Sequence, residues 1–141
     1  MSIEINNRTR TKVDEKLIKF VLEQLLGYYR LPNQQISVII IGDRAMRTLN
    51  MRLRGKDRPT DVLSFASRDS GEADPLFLGE LIIDWQQVKR QAPRFGQSPK
   101  RELVYIVVHG FLHLLGYDDV SDREALKMKQ LGEKLIGKLK L

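Results

Sequence analysis

Cysteine is absent from the 141 residues, which removes disulfides, thiolate metal ligands and thiol nucleophiles together. The absence fits a reducing compartment. Histidine is almost as scarce: His109 and His113 are the only two, so any imidazole chemistry falls to that pair. No apolar run approaches the ~20 residues that a membrane-crossing helix needs, and the N-terminal residues show no apolar stretch of a secretion signal. Internal repeats and low-complexity tracts are also missing. Aromatic residues make up 7% of the chain, and none forms a base-stacking pattern; Tyr28, Tyr29 and Phe95 read as core or rim. These absences predict a soluble, cytoplasmic protein of one domain over residues 1–141, long enough to bury a sizeable core.

Positive charge is what the chain has in excess. Lys and Arg number 24 against 18 Asp and Glu, a net charge of +6, with a pI near 9.7. That balance suits a partner with a phosphate backbone. Basic residues gather at Arg8, Arg10 and Lys12, from Arg44 to Arg58, from Lys89 to Arg101, and from Lys127 to Lys140. The last group alternates with Leu131, Leu135, Ile136 and Leu139 at helical spacing, so part of it is a solvated helix face.

Hydrophobic periodicity gives the element order. A strand at Ile3–Ile5 precedes a helix from about Thr11 to Tyr28 with a stripe of Val13, Leu17, Phe20, Val21 and Leu25. Ile36–Ile41 is a β-branched strand, and Asp43 is placed to cap a short helix running to about Leu53. Strands at Val62–Phe65 and Leu78–Ile83 flank a Ser/Asp/Gly/Pro-rich loop, Arg68–Pro75. A helix from about Trp85 to Phe95 leads into the histidine segment, and Ser121 with Glu124 forms a capping box for a last helix. The expected fold class is α+β, with about five helices on a small mixed sheet of about four strands.

The histidine segment is itself a helix. Ser98 suits the N-cap, Pro99 the first helical position and Gly116 the C-terminal stop. Nearly every residue from Leu103 to Leu115 is apolar, so this helix is buried on most of its surface. His109 and His113 stand at i and i+4 on one face and can aim both imidazoles at one point. That is half a metal site. With no cysteine and no third histidine, a carboxylate is the expected further protein ligand, and Asp118 or Asp119 lies just beyond the glycine that turns the chain back. A metallopeptidase helix of the H-E-x-x-H type carries its general base right after the first histidine. Gly110 holds that position here, which speaks against peptide hydrolysis and suggests a close packing contact.

The run His109–Asp119, HGFLHLLGYDD, resembles the signature H-G-x-L-H-L-x-G-Y-D-H of the YbeY family, bacterial metal-dependent endoribonucleases of ribosomal RNA maturation. From Asn50, NMRLRGKDRPTDVLSF is similar to the family's N-x-x-x-R-G-K-D-x-P-T-D-V-L-S-F, and Leu78–Ile83, LGELII, to its L-G-D-I-x-I strand. One position departs: Asp119 stands where the family has its third ligand histidine.

The resemblance implies a zincin-like fold with the metal in a cleft between the histidine helix and the sheet. It implies one Zn2+ per chain held by His109, His113 and Asp119, with Mn2+ or Ni2+ as substitutes, because a carboxylate relaxes the preference for zinc. His109, His113 and Arg54 take the catalytic roles. Arg54 lies in a charged loop, Arg54–Pro59, where its guanidinium would grip a phosphate. Lys56 and Arg58 would bind RNA beside it, and Thr60, Asp61 and Ser64 would order the loop or line the cleft. The implied substrate is single-stranded RNA, at the 3′ end of small-subunit ribosomal RNA and in ribosome quality control. The implied partner is the ribosome or its small subunit, with neither DNA nor a membrane expected. The rivals are a metallopeptidase-like hydrolase and a non-catalytic assembly factor with a structural metal.

Overall fold

The structure, a computed structural model, describes residues 2–71 and 74–141. Four strands, β1 (Ile3–Asn7), β2 (Gln35–Ile41), β3 (Val62–Ala66) and β4 (Phe77–Asp84), form one mixed sheet in the order β1-β2-β4-β3. β1 and β4 run parallel to β2, and β3 is the antiparallel edge strand. Among the described residues five helices accompany it: α1 (Glu15–Tyr28), α2 (Asp43–Arg54), α3 (Trp85–Gln91), α4 (Pro99–Leu115) and α5 (Asp122–Lys138). This is the α+β architecture expected.

Two apolar clusters hold the layers together. Ile36, Val38, Ile40, Val62, Leu81 and Ile83 share a core with residues of α1, α4 and α5. Ile41, Leu63 and Ile82 pack with Met46 of α2 in a second, smaller cluster. β2 is therefore covered on both sides, which explains why Val38–Ile41 reads as a β-branched run rather than an alternation. No helix of the described residues is long and apolar enough to cross a membrane.

Several element ends differ from the expected ones. α1 starts at Glu15 rather than Thr11, because the Asp14 side chain accepts from Leu17 N at 3.0 Å and caps there. Its buried stripe runs through Leu17, Ile18, Val21, Leu22, Leu25 and Leu26, which leaves Phe20 42% exposed. Asp43 does not cap α2: Gly42 takes the cap position, and the Asp43 carboxylate pairs with Arg90 instead. α2 continues through Arg54, so this arginine sits in the last helical turn and not in the loop, which starts at the left-handed Gly55. α3 ends at Gln91, and Pro93, lacking an N–H, follows in a tight 3-10 turn over Ala92–Phe95. Phe95 at the end of that turn is exposed. In the expected loop Arg68–Pro75, Ser67–Asp69 forms another 3-10 turn, and residues 72 and 73 lie outside the described residues.

Two close contacts set α4 on the β3–β4 hairpin. A Cβ at Gly110 would stand 2.9 Å from Leu81 Cδ2 and 3.3 Å from Ser64 Oγ. One at Gly79 would stand 2.6 Å from Leu114 Cδ2 and closer still to the Phe65 carbonyl. Glycine at both places lets helix and sheet approach, and the C-terminal half of α4 lies against the edge strand.

Candidate metal centre

His109 and His113 come one turn apart on α4, with their Nε2 atoms 3.1 Å from each other. Gly116, at φ 107°, ends the helix. Its N–H and that of Tyr117 donate back to the carbonyls of His113 and Leu112, a Schellman reversal that folds the next residues toward the last turn. The reversal brings Asp119 Oδ2 to 3.6 Å from each Nε2. His109, His113 and Asp119 form a group that can hold a metal ion, their ligand atoms all within 4.8 Å of one another.

The donor set fits a tetrahedral ion. Bonds of about 2.0–2.1 Å to zinc give a tetrahedron with edges of about 3.3–3.4 Å. The observed separations of 3.1, 3.6 and 3.6 Å are close to three edges of one face. Asp118 has a different use: its Oδ1 accepts from Asp119 N at 2.8 Å and holds the turn. His113 Nδ1 lies 3.0 Å from the Tyr117 carbonyl; with the proton assigned to Nδ1, the Nε2 lone pair is left for a cation. Burial, and then the neighbouring His113, lower the pKa of His109 and favour its neutral, ligating form.

These groups open onto a cleft of about 890 Å³ between the end of α4 and β3, whose lining includes Arg54, Thr60, Asp61 and Ser64. Lys56 and Arg58 are exposed but do not line it. Gly110 faces the sheet, so a larger side chain there would meet Leu81 and Ser64 rather than the cleft. A peptidase-type glutamate has no place at that position.

A family model described as Endoribonuclease YbeY matches residues 3–140. The chain belongs to the YbeY family. Among relatives with the name Endoribonuclease YbeY, that of Halalkalibacterium halodurans is 37% identical over 139 residues, covering 91% of this chain and 87% of the relative. That of Thermodesulfovibrio yellowstonii is 47% identical over 106 residues, covering 74% and 67%, and that of Shouchella clausii 38% over 149 residues, covering 96% and 93%. A solution structure of a Thermotoga maritima protein superposes with a TM-score of 0.60 at 28% identity, over 96% of this chain and 90% of that one.

Other residues of this YbeY chain support the centre without any mark in the sequence. Arg68 donates to the carbonyls of Leu114 and His113 and so satisfies the C-terminal end of the histidine helix. Gln91 Nε2 donates to Asp61 Oδ2 at 2.8 Å and to Glu102 Oε2 at 2.7 Å, while Gln97 Nε2 reaches Glu102 Oε1 at 2.7 Å. Glu102 is buried on α4, and burial pushes its pKa up. The other Asp61 oxygen accepts from Val62 N at 2.7 Å. Asp61 is thus fixed at the cleft by α3 and by its own strand. Tyr105 stacks on His109 from one turn earlier, with ring centroids 6.2 Å apart.

Proposed function

We propose that residues 1–141 act as a single-domain, metal-dependent endoribonuclease specific for single strands. The observation that carries the reading is the triangle of His109 Nε2, His113 Nε2 and Asp119 Oδ2, set in one cleft with Arg54, in a chain of the YbeY family. Zinc is the ion that best fits two imidazoles and a carboxylate at tetrahedral spacing, with Mn2+ or Ni2+ as substitutes. When bound, it supplies Lewis acidity and makes water reactive enough to hydrolyse a phosphodiester.

The protein's own residues do the rest. His109, His113 and Asp119 hold the ion, and the negative charge of Asp119 tempers its acidity relative to three imidazoles. Arg54 grips the phosphate through paired hydrogen bonds and offsets the charge that builds on it in the transition state. Lys56 and Arg58 bind RNA outside the cleft, while Thr60, Asp61 and Ser64 order the wall opposite the histidines. The biological setting that goes with this chemistry is cytoplasmic maturation of small-subunit ribosomal RNA at its 3′ end and ribosome quality control, with the small subunit as partner.

The test combines metal analysis with RNA cleavage for wild type, His113→Ala and Arg54→Ala. Wild type and Arg54→Ala bind one ion per chain. His113→Ala loses metal and cleavage together, and Arg54→Ala keeps the metal but cleaves about 100-fold more slowly or worse. Cleavage that survives His113→Ala belongs to a contaminant. Metal-loaded wild type that binds ribosomal RNA without cutting it is an assembly factor with a structural metal.

A further inference from the structure

The stretch from Arg44 to Arg58 carries six cationic side chains, Arg44, Arg47, Arg52, Arg54, Lys56 and Arg58, against one acid, Asp57. Its excess of five compares with an excess of six for the whole chain. The fold does not require this charge: α2 buries only Met46 and Asn50. Arg44, Arg52 and Arg54 form no ion pair among the described residues. Arg47 is paired with Asp57 at 2.7 Å, but both side chains are more than half exposed, and such a pair is weak enough to yield to a phosphate.

The cations are also aligned. Arg44, Arg47, Met51 and Arg54 follow one another at steps of three, four and three, which puts them on one helix face over about 15 Å of axis. Arg44, Arg47 and Met51, with Arg52, line a groove of about 460 Å³. Arg54, at the end of the same stripe, lines the metal cleft.

The two ends of the cleft differ in charge. At the start of β3 the chain arrives from α2 and the basic loop. There the cleft is lined by Arg54 and by Asp61, whose two oxygens accept from Gln91 and from Val62 N; at the far end, beyond the metal-capable group, Asp69 and Asp118 line it, and Asp122 and Glu124 follow in the first turn of α5. The guanidinium of Arg68, at that end, is engaged by the carbonyls of α4. A polyanion leaving the cleft in that direction meets carboxylates; one leaving toward α2 meets the guanidinium groups of Arg44, Arg52 and Arg54, which form no ion pair among the described residues, and that of Arg47, held by the one exposed acid of the groove, Asp57.

We propose that the Arg44–Arg47–Arg54 face of α2 is a phosphate track that binds the RNA backbone on one side of the scissile phosphate only. This rests on the endoribonuclease reading for the identity of the strand, and it adds a binding surface outside the metal cleft together with a direction. Arg44 and Arg47 act on substrate affinity, not on the bond being broken.

The experiment uses a short fluorescent single-stranded RNA and two longer versions, one extended on the 5′ side and one on the 3′ side. Binding to the metal-loaded protein is read by fluorescence anisotropy on ice, before turnover, across a salt series. One extension alone should tighten binding. Arg44→Ala/Arg47→Ala should remove that gain, a loss of about tenfold at low salt, and flatten the slope of log K against log salt by about 1.4, the value for two phosphates on a single strand. Arg44→Lys/Arg47→Lys should retain the slope, and Lys127→Ala/Lys134→Ala on α5 should leave the gain intact. Equal gains from both extensions, or a gain that persists in the double alanine variant, overturn the track. Failure of wild type to cut the short RNA overturns the endoribonuclease reading instead, and the binding comparison still decides the track.

Discussion

His109 and His113 direct their Nε2 atoms at each other across 3.1 Å, a separation that suits two lone pairs sharing one cation. Asp119 Oδ2, 3.6 Å from each, completes a group that can hold a metal ion. Asp119→Ala should therefore lower zinc affinity by more than about 100-fold, a larger loss than partners of the ligands give, with little change in melting temperature of the metal-free protein. Asp119→Asn, which keeps the shape and loses the charge, should fall between. Chelator competition measures both, and wild-type affinity in Asp119→Ala would remove Asp119 from the ligand set.

Arg68 should matter to the metal without touching it. Its guanidinium spans the carbonyls of Leu114 and His113, and a lysine cannot reproduce that fork. Arg68→Ala should cost about 1 kcal/mol of stability and also weaken metal binding, with Arg68→Lys recovering only part. Thermal unfolding and zinc titration of the same samples give the two readouts; a stability loss with unaltered zinc affinity would make Arg68 a helix cap alone.

Gly110→Ala tests the close approach of α4 to the hairpin. The added methyl would stand 2.9 Å from Leu81 Cδ2, and such overpacking costs about 1–3 kcal/mol. Differential scanning calorimetry should show the melting temperature fall by several degrees. A variant as stable as wild type would mean that helix and sheet separate without penalty.

Asp84 gives the stability a pH dependence. It is fully buried and caps α3 by accepting from Gln86 N and Gln87 N. Burial, and then the adjoining Asp43 carboxyl, push its pKa up to about 7. Folding therefore takes up a proton wherever the unfolded chain has already lost it. Stability from this group is full below about pH 4, the unfolded value, falls as pH rises, and is gone above about pH 7. Asp84→Asn keeps the capping oxygen and mimics the protonated acid, so its advantage over wild type should be larger at about pH 8 than at about pH 5. Parallel melting curves at the two pH values would show that Asp84 is ionised throughout.

Local signals account for much that was legible. Ser98 and Ser121 cap α4 and α5, as their side chains and positions indicate, and the histidine spacing places both imidazoles on one face. Where local reading erred, a neighbour had competed for the same group. Arg90 draws Asp43 away from the α2 cap, and the Asp14 cap starts α1 at Glu15, four residues after the Thr11 that periodicity alone indicates. Arg54 shifted from loop to helix because Gly55, not Leu53, sets where α2 can stop.

The sequence by itself determined the helix that carries the histidines, the turn after it and the basic surplus between Arg44 and Arg58, because caps, i to i+4 spacing and glycine stops act within a few residues. The tertiary structure decided the choice between Asp118 and Asp119 for the metal-capable group, the hold of Arg68 on α4, and the bond network from Asp61 through Gln91 to Glu102. Arg68 and Leu114 are 46 positions apart, and Asp61 and Gln91 are 30. Contacts over such separations exist only once α3 and α4 have packed beside β3, and no local rule encodes which polar groups that packing brings together.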